Sequence, residues 1–202
     1  MHDYAIFGHD RTDIGRWLGI LSLSIASGIS QLLMYVATIT EWKMFTARTI
    51  TTGVIYLVLH WLFNNYVWKL NFFSVPNLNG SWKVEGNTLG ENGDTKHSWQ
   101  GELGITQNWS KILIHLKTKN SQSNSYTATL LKRHEPCGGW LLSYSYRNEP
   151  KLEQVHELNS HKGFCEIEID EQLTKATAAY FNSSGRRTFG TMSLSLIKEQ
   201  VL

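Results

Sequence analysis

The sequence predicts an eight-stranded, lipocalin-like antiparallel β-barrel carried behind an N-terminal two-helix transmembrane hairpin. Two uncharged runs predict the hairpin. Trp17–Thr40 is 24 residues without a charge, bounded by Arg16 and Glu41, and Thr49–Trp68 is 20 more, bounded by Arg48 and Lys69. A hydrocarbon core of about 30 Å is crossed by roughly 20 apolar residues rising about 1.5 Å each, so either run is long enough to span it. The rest of the chain predicts the barrel, with segments of alternating polarity separated by turn-forming clusters and without a helical period. The expected divisions are a polar leader at 1–16, the hairpin at 17–70 with helices at 17–40 and 49–68, a linker at 71–78 containing Pro76, and an all-β domain at 79–202.

The leader mixes Asp3, Asp10 and Asp13 with Arg11 and Arg16 and reads as an interfacial lead-in. In and just before the first uncharged run, small residues recur at four-residue spacing, Gly15 and Gly19, then Ser22, Ala26 and Ser30. In lipid such spacing lets helix backbones approach closely, either against the second helix of the same chain or between chains. Only eight residues, Glu41–Arg48, join the two runs. So short a connection forces an antiparallel hairpin and returns both ends to one side of the membrane. Near the spans, Arg11, Arg16 and Lys69 lie on that side and Lys43 and Arg48 in the loop, a three-to-two bias toward a cytoplasmic body. On the second helix Thr52, Tyr56, His60 and Asn64 recur every four residues. A polar stripe is costly against lipid, so with the small-residue face it forms the candidate surface for assembly into a homo-oligomer.

The first strand is expected to open at Asn79-Gly80-Ser81-Trp82, whose G-x-W resembles the start of lipocalin-type barrels. Ser98–Gln107 comes next, with Trp99, Gly101, Leu103 and Ile105 alternating against Gln100, Glu102, Gly104 and Thr106. Lys111–Thr118 places Ile112, Ile114 and Leu116 on one face, and Ser123–Arg133, Trp140–Arg147, His161–Ile169, Lys175–Phe181 and Thr188–Ile197 supply five more. Closing such a set into a barrel removes its exposed edges, and an eight-stranded barrel holds either packed side chains or one small ligand.

A net charge of +2 is too balanced for a duplex nucleic-acid partner, which calls for a concentrated basic face. Cys137 and Cys165 have no C-x-x-C partner and read as reduced thiols. No nucleophile, phosphate-loop or metal motif is present. His156 and His161, with Glu153 and Glu157, come nearest to a hydrolytic cluster, and an exposed charged loop explains them more simply. Neither catalysis nor a resident cofactor or metal is expected.

Two membrane helices, a domain opening N-G-S-W, W-x-G at Trp99–Gly101, A-Y-F at Ala179–Phe181 and a final R-T-F-G-x-M-x-L strand together resemble a family of bacterial antiphage effectors. These are the CBASS effectors described as SMODS-associating, two-transmembrane, β-strand-rich proteins, or CD-NTase-associated barrel effectors. The resemblance implies a barrel that binds a cyclic nucleotide made by a partner CD-NTase. It also implies chains that assemble in the inner membrane, loss of membrane integrity, and abortive infection.

A cyclic dinucleotide presents two flat bases and two phosphates, so its site needs aromatic platforms and cationic or hydrogen-bonding groups. The sequence offers Trp82, Trp99, Tyr126, Tyr144, Tyr146 and Tyr180 as stacking surfaces and Arg147, Arg186 and Arg187 as phosphate partners. Equally, the aromatics could simply fill the barrel. The competing function is a membrane-tethered lipocalin-like carrier of a lipid or other apolar ligand, and the lining of the barrel discriminates the two.

Overall fold

The computed structural model describes residues 1–8, 11–40, 52–70, 75–134, 136, 138–150, 160–183 and 187–199. They form two compact units, His9–Phe73 and a second made of Met1–Gly8 with Ser74–Leu202.

In the first unit, α1 spans Arg11–Thr40 and α2 spans Thr52–Asn65, followed by a 3-10 turn at Val67–Lys69. Helix α1 starts earlier than its uncharged run because its first turn is well set up. Asp13 lies where the helix dipole favours a negative charge, and Arg16 donates to it at 3.0 Å. Among the described residues, Arg11–Ile39 is long and apolar enough to cross a membrane. The 14 residues of α2 are shorter than the expected second span, and the predicted hairpin loop lies outside the described residues. Hydroxyls on α1 are satisfied within the helix, Ser24 by the Ile20 carbonyl at 3.0 Å and Thr38 by that of Met34 at 2.8 Å, as an apolar surrounding requires.

The two helices pack on each other. Leu18, Ser22 and Ala26 are buried at four-residue spacing, with Gly15, Gly19 and Ser30 half-buried on the same stripe. A Cβ added at Gly15 would lie 3.8 Å from the Tyr56 hydroxyl, so at that position the small-residue face borders α2, whereas a Cβ at Gly19 would meet nothing within 4 Å. Of the polar stripe, Thr52, Tyr56 and Asn64 are half-buried and His60 is exposed, its ring 5.9 Å from that of Tyr56.

The second unit is the barrel. Its eight long strands are β3 (Gly80–Leu89), β4 (Thr95–Gln107), β5 (Lys111–Thr118), β6 (Ser121–Lys132), β7 (Trp140–Pro150), β8 (His161–Ile169), β9 (Lys175–Asn182) and β10 (Phe189–Glu199). Each pairs antiparallel with the next, and β10 returns to β3 over a long register from Phe189↔Leu89 to Glu199↔Gly80. All eight predicted strands are present, and several of their ends run further than the sequence suggests, β4 beginning at Thr95 and β10 reaching Glu199. The expected turn at Lys119–Asn124 shrinks to two residues, and β7 continues through Asn148–Pro150, because both segments pair with each other from Ser121↔Pro150 onward.

The interior divides by height. At one end Trp82, Val84, Leu103, Ile105, Ile112, Ile114, Leu130, Leu142, Ile167 and Leu194 are buried and fill the cross-section. This end is sealed by a closed polar network. The Asn79 side chain receives Gln107 N–H at 2.6 Å and donates to the Gln107 carbonyl at 2.9 Å, while Gln107 Oε1 receives Leu78 N–H at 2.8 Å.

The leader departs from expectation. Instead of an interfacial lead-in, residues 1–8 belong to the barrel unit. β1 (His2–Asp3) pairs antiparallel with β5, and β2 (Ala5–Ile6) pairs parallel with β6. Tyr4 and Ile6 are buried, and Gln107 Nε2 donates to the Tyr4 hydroxyl at 2.9 Å. The segment fits because β5 and β6 pair directly only near their hairpin, through His115↔Asn124, Leu116↔Ser123 and Lys117↔Gln122. Below those rungs the first seven residues complete the wall.

Candidate functional site

The other end of the barrel is hollow. A cavity of about 950 Å³ lies among the strand ends next to the β3–β4 and β5–β6 hairpins, within the size range of small-molecule sites. Both connections to the helical unit leave from the opposite end, Phe7 hydrogen-bonding to Leu130 and Leu78 to Gln107.

Two aromatic groups wall the cavity. Tyr144 and Tyr146 share the inner face of β7, their ring centroids 5.9 Å apart. Trp99 from β4 and Tyr180 from β9 meet edge-to-face at 6.0 Å, the indole N–H donating to the Tyr180 hydroxyl at 3.3 Å. That hydroxyl also lies 3.0 Å from Thr88 Oγ1. Three of the four rings have room because glycine stands opposite. Trp99 pairs with Gly86, Tyr146 with Gly163 and Tyr180 with Gly190, and a Cβ at any of the three glycines would run into the ring opposite. Aromatic rings laid over cross-strand glycines leave the centre of the barrel empty.

Between the rings the lining is polar and mostly uncharged. Tyr146 donates to Asn182 Oδ1 at 2.7 Å, and Asn182 Nδ2 donates to Thr188 at 2.7 Å. Thr118, Asn120, Ser121, Ser123, Asn148 and Gln100 add hydroxyls and amides, while His97, Lys119 and His161 are the lining groups able to carry positive charge, and Glu85 also borders the space. Beneath the rings Cys165 is fully buried, paired across strands with both Tyr144 and Tyr180. Burial pushes its thiol up to about 12, and burial together with the neighbouring thiol raises the Tyr144 phenol well above its ordinary range. Both groups are neutral at physiological pH, so Tyr144 offers a ring and an inert thiol supports it.

The structure thus brings together Trp99, Tyr144, Tyr146 and Tyr180 and separates the other predicted binding residues from them. Trp82 is 2% exposed in the packed end, because its position on β3 is four rungs deeper than Gly86. Tyr126 sits where the β6–β7 register shifts, between Ser125 and Thr127, and the irregularity leaves it exposed. Arg147 alternates with Tyr146 and so is exposed on the outer face of β7. Arg187 is exposed in the β9–β10 connection at the mouth end without lining the cavity, and Arg186 lies outside the described residues. Cys137, Glu153, His156 and Glu157 lie outside them too, and among the described residues no cluster of metal ligands is found. What sequence reasoning missed is the amide and hydroxyl set, Asn148, Asn182, Ser123 and Thr188, and the three glycines. An inward-facing polar residue on a strand otherwise apolar on that face was the available signal.

Two family models match the chain. Residues 12–69 match the TM helices of Cap15, and residues 73–195 match the Cap15 cyclic dinucleotide receptor domain. The chain is also 38% identical to CD-NTase-associated protein 15 of Yersinia aleksiciae, over 98% of both chains.

Proposed function

The chain belongs to the Cap15 family of CBASS effectors, which joins membrane helices to a cyclic dinucleotide receptor domain, and from that premise we propose how this molecule works. The barrel cavity binds a cyclic dinucleotide made by a partner CD-NTase. Binding drives the chains to assemble through their helices in the inner membrane, the membrane fails, and the infected cell is lost before phage mature. The barrel lies in the cytoplasm, α1 and α2 both span, and the protein works as a receptor without catalysis.

The observation that carries this reading is the pair of aromatic walls around a polar, open-ended cavity. A base stacks on a ring face for roughly 1–3 kcal/mol and every base has such a face. One nucleobase fits against Tyr144 and Tyr146 and the other against Trp99 and Tyr180. Asparagine amides, which both donate and accept, suit base edges, and Lys119 with the Ser121 and Thr118 hydroxyls at the hairpin suits a phosphate. An apolar ligand would leave these groups unpaired, which disfavours the lipid carrier.

The test uses the full chain in detergent, melted with cyclic di-AMP, cyclic di-GMP, cyclic GMP–AMP or cyclic UMP–AMP. At about 100 times its dissociation constant, a ligand adds roughly 2.7 kcal/mol, a shift of several degrees. Trp99→Ala and Tyr146→Ala are expected to fold and to lose the shift. Stabilisation by fatty acid or phospholipid, with no response to any of the nucleotides, would reject the proposal for the carrier.

A further inference from the structure

The same two strands that wall the cavity also hold the first seven residues. Near the hairpin, Leu116, Thr118, Ser121 and Ser123 border the ligand space. Further down, His2↔Ile112 and Asp3↔Lys111 occupy the free edge of β5, while Ala5↔Thr129, Ile6↔Leu130 and the Phe7 N–H to Leu130 carbonyl bond at 2.8 Å occupy that of β6. β5 and β6 therefore form a V, pinned at the top by three rungs and filled below by a wedge. Ser125 sits where the two parts meet. Its hydroxyl receives Ile114 N–H at 2.9 Å and lies 2.7 Å from His2 Nε2, and its backbone pairs with the cavity residue Tyr146.

We propose that residues 1–7 are a strap that reports cavity occupancy to the first membrane helix. The inference rests on the cavity being the cyclic dinucleotide site. A ligand touching both arms of the V fixes their spacing at the top, and that spacing sets the width the strap must fill below. Ligand and strap thus bind the same pair of strands cooperatively, and occupancy tightens the strap. Such coupling is reciprocal, so a loosened strap weakens the nucleotide by the factor by which nucleotide tightens the strap. The strap is suited to respond because it is short and secured locally, by two two-residue strands, the buried side chains Tyr4 and Ile6, and side-chain bonds of His2 and Tyr4 to β6 and to the β4 end. The chain passes from Phe7 through Gly8, at φ +76°, to α1 beginning at Arg11, so a change in the strap reaches the helix along the covalent chain.

Hydrogen exchange on the full chain in detergent tests this, with and without each of cyclic di-AMP, cyclic di-GMP, cyclic GMP–AMP and cyclic UMP–AMP. The nucleotide that protects the β6–β7 amides is expected to slow the amides of residues 2–7 about fivefold or more, the low end of ordinary coupling. His2→Ala removes the contact to Ser125 without touching the buried side chains. It is expected to speed strap exchange and to weaken that nucleotide by a similar factor, leaving the β8–β10 amides as they were. Protection at β6–β7 with an unchanged or faster strap overturns the coupling while the binding reading stands. Absence of protection at either place overturns both.

Discussion

At Gly86 and Gly163 the space of a side chain is taken by the ring of the residue directly opposite, and at Gly190 by the Asn87 carbonyl together with the Tyr180 ring, so these positions decide where three of the four cavity aromatics lie. Gly86→Ala puts a methyl into the Trp99 indole, which is the nearest obstacle, so the indole has to move. The expected outcome is a fold retained at a cost of about 1–3 kcal/mol and nucleotide affinity lowered by tenfold or more, measured by melting and by calorimetric titration. These glycines were not legible as site residues. In a single sequence a strand glycine signals only a bulge or a close approach, and the register that sets Gly163 against Tyr146 is invisible. The buried pair Tyr144 and Cys165 gives a second expectation at this scale. Both are raised in the folded chain, Cys165 from an ordinary 9.0 to about 12, so above pH 9 the unfolded chain releases protons that the folded chain keeps. Stability is then level below pH 9 and falls as pH rises from 9 toward 12, by up to about 1.4 kcal/mol per pH unit from the thiol and by a similar slope from the Tyr144 phenol once its ordinary value of 10.0 is passed. Melting of the wild-type chain and of Cys165→Ala across that window checks it. The variant is expected to fall less steeply, and equal slopes would mean that the thiol does not titrate differently on unfolding.

Among elements, the strands were readable because their period of two survives over most of their length, from Trp99, Gly101, Leu103 and Ile105 on β4 to Ile112 and Ile114 on β5, and breaks at irregularities such as Tyr126 on β6. The strap was not, because a two-residue strand has no period and its Asp3 and His2 look like any polar leader. Arg147, by contrast, is bound to point outward once Tyr144 and Tyr146 on the same strand point in. Helix α1 carries a prediction of its own. Ala26→Leu with Ser30→Leu enlarges the stripe that holds the α1–α2 pair, whereas His60→Leu alters an exposed position on α2. Crowding the first stripe is expected to abolish nucleotide-triggered dye release from liposomes. The His60 change is expected to reduce crosslinked assembly, since a polar contact between membrane helices contributes about 0.6–2 kcal/mol. Neither should alter the nucleotide affinity of the unassembled chain in detergent, and normal dye release from both variants would reduce the helices to anchors.

For the molecule as a whole, the helical unit is an insertion within the barrel unit, since residues 1–8 precede it and Ser74–Leu202 come after it. A fragment beginning at residue 79 is thus short of part of its wall. Deleting residues 1–8 from the full chain uncovers the gap beside Ile112 and Leu130 and gives up the burial of Tyr4 and Ile6, at most about 3–5 kcal/mol by side-chain transfer. The expected result is a melting point lowered by ten degrees or more, and a change under about two degrees would mean the strap does little for stability. The two-unit plan and the barrel could be read from the sequence because each depends on local pattern. The insertion could not, because it depends on contacts such as His2 to Ser125, separated by 123 positions. That separation also orders biosynthesis. Residues 2–7 leave the ribosome before the helices do, but the seam that receives them is complete only when β6 has been made, so the wall closes late.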